Sequence, residues 1–216
     1  MTSFIFLLIL SYLIGSISGS MLIGKINKVD IRKSGSGNAG ATNALRTQGI
    51  LFALPVLVID IGKGYVAAEF LNNFPIIQSN FLEGSDYLFF GAASIIGHCY
   101  PIFHNFKGGK GAGTALGAII SIYPSSILSA LIVWISSVVL TGFVGFSTIL
   151  AGLTITIFSL IDNPVSNPLS LNNIHFFCIF ISFFILFMHK INILRMLKGN
   201  ENQFKKVMIL KNIFNK

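Results

Sequence analysis

The chain has 216 residues, of which 53% are hydrophobic and 10% charged, with a formal net charge of +8 and a mean hydropathy of +0.79. A soluble domain carries about 25% charged residues. The deficit excludes a disordered chain, a water-soluble globule and, despite the +8, a nucleic-acid-binding domain. Cys99 and Cys178 both lie in apolar stretches and imply neither a disulfide scaffold nor a zinc site.

A bilayer core needs about 20 apolar residues per helix, with about 17 as a minimum. Residues 1–24 carry no charge and read as a retained first span, too long and too weakly basic at the start for a cleaved signal peptide. Residues 50–71 predict a second span, interrupted by Asp60, Lys63 and Glu69. Residues 87–106 predict a third. Residues 111–161 hold no Lys, Arg, Asp or Glu; as helix they would run about 76 Å. That is enough for three short passes, with turns at Pro124-Ser125-Ser126 and between Thr141 and Thr148. Residues 171–189 form the last. The expectation is an all-α, polytopic membrane helix bundle of seven spans, or five if 111–161 crosses once, making one domain over 1–216.

All but one of the 15 Lys and Arg residues fall in the loops after the odd-numbered spans and in the C-terminal tail; the exception, Lys63, is inside span two. The opposite loops hold Glu83, Asp86 and Asp162 but no Lys or Arg. The positive side faces the cytoplasm, so the N-terminus is expected outside and the C-terminus inside. Attraction to anionic lipid accounts for part of the same charge.

The polar chemistry gathers on the positive side. The first loop runs from Asp30 through Ser34-Gly35-Ser36-Gly37-Asn38-Ala39-Gly40-Ala41-Thr42-Asn43 to Arg46. The second runs from Gly97-His98-Cys99 to Lys107-Gly108-Gly109-Lys110-Gly111. A third covers Thr141 to Thr148, and a fourth opens at His189. Glycines let several backbone N–H groups approach one anion, while Lys and Arg neutralise phosphate and hydroxyl or amide groups complete its acceptor shell. Turns and close helix packing are the plainer use of glycine, with basic residues snorkelling to the interface. Two dense loops on one face favour anion binding.

Named motifs do not fit. Gly35-Ser36-Gly37-Asn38-Ala39-Gly40 matches G-x-G-x-x-G, but a membrane span precedes it rather than a β-strand. Gly109-Lys110 is followed by Gly111, not Ser or Thr, which rejects a Walker A loop. There is no G-x-S-x-G elbow, no H-E-x-x-H, and no His followed by Asp four residues on.

These blocks resemble the bacterial acyl-phosphate:glycerol-3-phosphate acyltransferase family. The resemblance runs from Gly15-Ser16-Ile17 and Gly24-Lys25 through Gly35–Asn43, Asp60/Lys63-Gly64 and Gly97–Thr114 to His189-x-x-Asn192-Ile193-x-Arg195, Gly199 and Glu201. It implies transfer of a fatty acyl group from acyl phosphate to glycerol 3-phosphate, at the cytoplasmic face of a bacterial plasma or inner membrane. The products would be 1-acylglycerol 3-phosphate and inorganic phosphate, in the first acylation step of phospholipid synthesis. It further implies that Ser36, Arg46, a lysine at 107 or 110 (Lys107 or Lys110), His189 and Asn192 bind glycerol 3-phosphate, with Ser36, Arg46, His189 and Asn192 closest to the chemistry. Gly40, Thr42, Asn43, Gly108, Gly109 and Gly111 would clamp the acyl phosphate. Glu201 would be structural, beside a basic residue. The family often has Pro where Ser18 stands, and in the third loop a basic residue and a Ser where this chain has Gly142 and Gly145; any phosphate role there would move to Ser147 or Thr148.

An acyl phosphate is already activated, so no acyl-enzyme is required. Placement and oxyanion stabilisation suffice, with either His189 or a substrate phosphate as base. No metal or other cofactor is expected; the partners are the two substrates and membrane lipid, and a monomer is expected to act alone. Asp60 and Lys63 are one helical turn apart and are expected to pair structurally. His98 and His104 read as scaffold hydrogen-bonders. The competing function is a small anion or phosphate-compound transporter, which calls for polar groups near the midplane and repeated halves; neither is visible.

Overall fold

The computed structural model describes residues 1–71, 73, 81–82, 84–162, 171–205 and 207–208. Among them it is helical, with no β-strand. The helices are α1 (Thr2–Ser16), α2 (Gly19–Asn27), α3 (Ala41–Gln48), α4 (Ile50–Tyr65), α5 (Asp86–Cys99), α6 (Ala112–Ile122), α7 (Ile127–Thr141), α8 (Val144–Asp162), α9 (Asn173–Met188) and α10 (Lys190–Leu197). Four stretches are long and apolar enough to cross a membrane: Thr2–Asn27, Ile50–Phe70, Pro124–Thr141 and Val144–Asp162. A fifth is added if α9 and α10, bent by 51°, are one span. Their outer surfaces are apolar, with Leu51 89% and Phe183 68% exposed, as lipid-facing residues should be.

Three sequence expectations change. The first span is not continuous. It breaks at Ile17, which is extended, and restarts where the Ser18 hydroxyl accepts from the Met21 N–H. The third stops at Cys99 rather than 106, because Pro101 follows and the backbone beyond it folds back on α5. The seven-span count is not reached by length: α5 has 14 residues and α6 has 11, short of the roughly 17 needed to cross. The turns inside 111–161 fall where the sequence puts them, at Pro124–Ser126 and at Gly142, whose left-handed φ of 72° ends α7. Residues 72, 74–80 and 83, and residues 163–170, lie outside the described residues.

The chain forms two compact units, Met1–Pro124 and Ser125–Lys216. In the first, α1 lies against α5 and α4 against α6. Small residues make both approaches possible. A Cβ on Gly15 would strike the Ser94 backbone, and one on Gly117 the Ile61 carbonyl. With no hydrophobic gain between helices in lipid, such close packing supplies much of the association energy. Ile31, Ala44, Phe52, Ala53 and Val56 form a buried cluster that ties the first loop to α3 and α4. In the second unit, α7 packs on α8 and α8 on α9. Hydroxyls bridge the latter pair: Thr156 Oγ1 to the Cys178 carbonyl at 2.9 Å and Ser182 Oγ to the Gly152 carbonyl at 2.7 Å. His175 caps α9. Its Nδ1 accepts from the Asn172 N–H while Nε2 meets the Ser159 carbonyl, each at 3.0 Å, a pattern that requires the neutral Nε2–H tautomer.

Candidate active site

In the first loop, Gly35 and Gly37 turn through left-handed backbone at φ 60° and 74°. One side chain organises this turn. Asn43 is buried in the first turns of α3; its Oδ1 accepts from the Ser36 N–H at 2.9 Å, and its Nδ2 donates to the carbonyls of Ile31, Ser34 and Asn38 at 3.0, 3.1 and 3.0 Å. The amide is thus committed to the loop backbone, and whatever the loop binds meets Asn43 only through the shape it imposes. Ser20 Oγ donates to the Ala39 carbonyl at 3.0 Å and pins the loop to α2. Ser36, Gly40, Thr42 and Arg46 are half-exposed around this frame.

The second loop leaves α5 at Cys99. Asn105 and Phe106 are both left-handed, at φ 54° and 57°, a conformation costing about 1–2 kcal/mol per non-glycine residue. It is held by the Phe106 N–H to the Pro101 carbonyl (2.9 Å), the Gly108 N–H to the Cys99 carbonyl (3.2 Å) and the Gly109 N–H to the His98 carbonyl (3.1 Å). A Cβ on Gly109 would strike the His98 imidazole. Lys107 is exposed, Lys110 half-buried and Gly111 buried at the left-handed start of α6.

Beneath this loop is a buried ionic cluster. Lys63 Nζ lies 3.1 Å from Asp60 Oδ1 and donates to the Ile17 carbonyl at 2.7 Å. His98 Nδ1 approaches the same Asp60 oxygen at 3.4 Å, an ion-pair distance without hydrogen-bond alignment. The expected pairing of Asp60 with Lys63 is present, and His98 extends it to the second loop. Thr114 Oγ1, in the first turn of α6, is buried and makes no hydrogen bond; it closes the Gly97–Thr114 block, three residues after Gly-Lys-Gly, and was given no role of its own there.

The two loops meet near His104. Burial and the Arg32 guanidinium hold its imidazole below the ordinary histidine value, so it is neutral at pH 7. Asp30 is bound by Arg32 Nε and an Arg32 terminal nitrogen at 3.0 and 2.8 Å. Its hydrogen bond to that side chain holds its carboxyl below the usual carboxylate range.

In the second unit, His189 Nδ1 is 2.8 Å from the Ile185 carbonyl. A carbonyl only accepts, so Nδ1 carries a proton and a neutral ring has its lone pair on Nε2. Asn192 Nδ2 donates to Glu201 Oε1 at 2.7 Å. The partner of Glu201 here is thus an amide rather than the expected basic residue. Gly145 faces Asn192, whose amide would sit 3.0 Å from an added Cβ, so the glycine makes room for that side chain. Ser147 and Thr148 are engaged in helix packing. Ser147 Oγ donates to Ser137 Oγ and the Phe143 carbonyl; Thr148 Oγ1 donates to the Val144 carbonyl and accepts from Trp134 Nε1. That leaves no support for a phosphate role moving to them.

Residues 5–199 match the sequence model of the family described as glycerol-3-phosphate acyltransferase. The chain belongs to this family. A glycerol-3-phosphate acyltransferase of Aquifex aeolicus is 36% identical over 93% of this chain and 98% of its own length. Glycerol-3-phosphate acyltransferase 2 of Bacillus anthracis is 40% identical over 91% and 96%. A solved structure of PlsY, an integral membrane glycerol 3-phosphate acyltransferase in its glycerol 3-phosphate form, superposes with a TM-score of 0.80 at 35% identity, covering 94% of this chain and 96% of that one. The acyltransferase family places the bundle in a membrane as a multi-pass protein and decides against the transporter reading.

Proposed function

We propose that the protein transfers a fatty acyl group from acyl phosphate to the 1-position of glycerol 3-phosphate. The products are 1-acylglycerol 3-phosphate and inorganic phosphate. The observation that carries this reading is the pair of rigidly held glycine loops in a chain of the acyltransferase family. Internal hydrogen bonds fix the backbones of both loops, and Ser36, Arg46, Lys107 and Lys110 stand around them.

The chemistry asks for little more. The glycerol hydroxyl attacks the acyl carbonyl carbon, the carbonyl–O bond to phosphate breaks, and phosphate leaves with the bonding electrons. The proton passes to His189 Nε2 or to a phosphate oxygen of the substrate. Donors and cations held by the fixed loops stabilise the oxyanion without reorganising. Clustered cations offset the repulsion between two phosphates, which at 4 Å is about 1 kcal/mol per charge pair even in water and several-fold more near protein. Ser36 and Arg46 bind glycerol 3-phosphate with Lys107 or Lys110; His189 and Asn192 serve the same substrate. Gly40, Thr42, Gly108, Gly109 and Gly111 clamp the acyl phosphate, with Asn43 shaping the first half of that clamp. With α5 and α6 counted as short crossings, the bundle crosses seven times, with the N-terminus outside and the working loops cytoplasmic, and a monomer suffices.

The test supplies purified protein with labelled glycerol 3-phosphate and one donor at a time: acyl phosphate, acyl-CoA or acyl carrier protein. Acylation from acyl phosphate alone is expected. Efficient use of acyl-CoA with none from acyl phosphate would overturn the donor assignment. Ser36→Ala and Arg46→Ala each remove an interaction of about 3 kcal/mol in the transition state and cut turnover at least about a hundredfold.

A further inference from the structure

We propose that a groove beside α2 seats the phosphate headgroup of an anionic glycerophospholipid from the surrounding leaflet, at a site apart from Ser36, Arg46, Lys107 and Lys110. The groove has a volume of about 790 Å³, within the range of small-molecule sites. Met21 and Leu22 of α2 and Phe103 of the second loop give it apolar walls, and Lys25, Lys28 and Lys33 line it with positive charge. The carboxylate among its lining residues is Asp30, and both Asp30 oxygens are already bound by Arg32. Three ammonium groups are therefore left without a carboxylate partner in the groove. His104, held neutral, adds no charge.

The position fits a lipid rather than a free anion. Lys25 and Lys28 sit at the end of the Thr2–Asn27 apolar stretch, where a span leaves the bilayer. Around them Leu22, Ile26, Ile102, Phe103 and Phe106 are exposed. Exposed Phe, Leu and Ile side chains beside snorkelling lysines are the pattern of a surface lying at the membrane–water interface. A free phosphate would use the lysines and gain nothing from Met21, Leu22 or Phe103; a phospholipid uses both, with its acyl chain on the apolar wall. None of the lining residues belongs to the proposed substrate machinery, so lipid retention can be read without turnover, and only the KM comparison rests on the acyl-transfer reading.

The experiment places wild-type protein in nanodiscs of mixed phosphatidylglycerol and phosphatidylcholine and counts the lipids retained in native mass spectrometry. Each surface lysine near an anionic leaflet strengthens attachment several-fold, so about a tenfold or greater preference for phosphatidylglycerol is expected at low salt, shrinking as salt is added. Lys25, Lys28 and Lys33 are exposed, so the triple variant K25Q/K28Q/K33Q is expected to fold and to lose the preference. Phe103→Ala keeps the preference but retains less lipid in total. No preference in the wild type, or an unchanged one in the triple variant, would overturn the site. So would equal competition by chain-free glycerol phosphate, which would make the ligand a soluble anion. Turnover separates the remaining source: an unchanged KM for acyl phosphate in the triple variant supports a separate lipid site, whereas a raised one makes the groove a donor site and overturns the proposal.

Discussion

The first glycine loop is ordered by a side chain that reaches into it, whereas the second is ordered by carbonyls at the end of the helix before it. Asn43 gathers four backbone groups of residues 31–38 with one amide. The Gly108 and Gly109 N–H groups instead rest on the Cys99 and His98 carbonyls, above a buried Asp60–Lys63–His98 cluster. Each loop is therefore vulnerable in its own way. The first loop is undone by removing atoms, the second by adding them or by disturbing what lies beneath.

The largest effect is expected below the second loop. Lys63→Met leaves Asp60 charged and buried, and breaking such a pair costs about 3–5 kcal/mol. Thermal unfolding in detergent, followed by labelling of the buried thiols Cys99 and Cys178, should show a clear drop. The double variant D60N/K63M should recover much of it, since no lone charge remains. If the double variant is as damaged as the single, the pair does more than neutralise itself.

Next is Asn43→Ala. Leaving a buried carbonyl or N–H unsatisfied costs about 1–3 kcal/mol, and several are stranded together, so a loss of about 3 kcal/mol or more in stability is expected. Asn43→Asp should be nearly as harmful despite its shape, because a carboxylate cannot donate to three carbonyls. Wild-type turnover in Asn43→Asp would show that the loop is held by something else.

Gly109→Ala follows. Its methyl group meets the His98 ring, and overpacking of this kind costs about 1–3 kcal/mol. Turnover should fall about tenfold or more. His98→Ala removes the obstacle, so the double variant should show a coupling of about 1 kcal/mol or more. Additive losses would mean that the ring and the glycine act independently.

The smallest effect sharpens the picture of the first loop's entrance. Asp30 and Arg32 are partly exposed, and pairs of this kind contribute less than about 1 kcal/mol. The folded-state carboxyl titrates below its unfolded value, so its contribution is complete above the usual carboxylate range and is lost as pH falls through the lower folded value. Asp30→Asn should therefore lower the unfolding temperature slightly at pH 7, and the gap to wild type should close in strong acid.

Much of the scaffold was legible because the signals were local. Uncharged runs marked the helices, and Pro124 and Gly142 marked turns. The third span was overrun by seven residues, since Tyr100–Phe106 carries no Lys, Arg, Asp or Glu, although Pro101 and the fold-back on α5 end the helix before it. Within the site, an asparagine in a glycine loop reads as a ligand contact; that Asn43 serves the backbone depends on carbonyls up to twelve residues earlier, which no spacing rule exposes. The link from His98 to Asp60 joins two helices and likewise has no one-dimensional trace. Glu201 was expected beside a basic residue, and the partner the structure gives it is the amide of Asn192.

The interruption of the first helix at Ile17 bears on how the chain is built. A carbonyl released from its helical bond inside hydrocarbon has no water to turn to, and here it is met by the ammonium of Lys63. That ammonium arrives only when the next long hydrophobic segment has been made. The opening segment therefore settles into its broken shape after its neighbour is inserted, and biogenesis of the amino-terminal half is a joint event between two hairpin arms rather than a succession of finished ones.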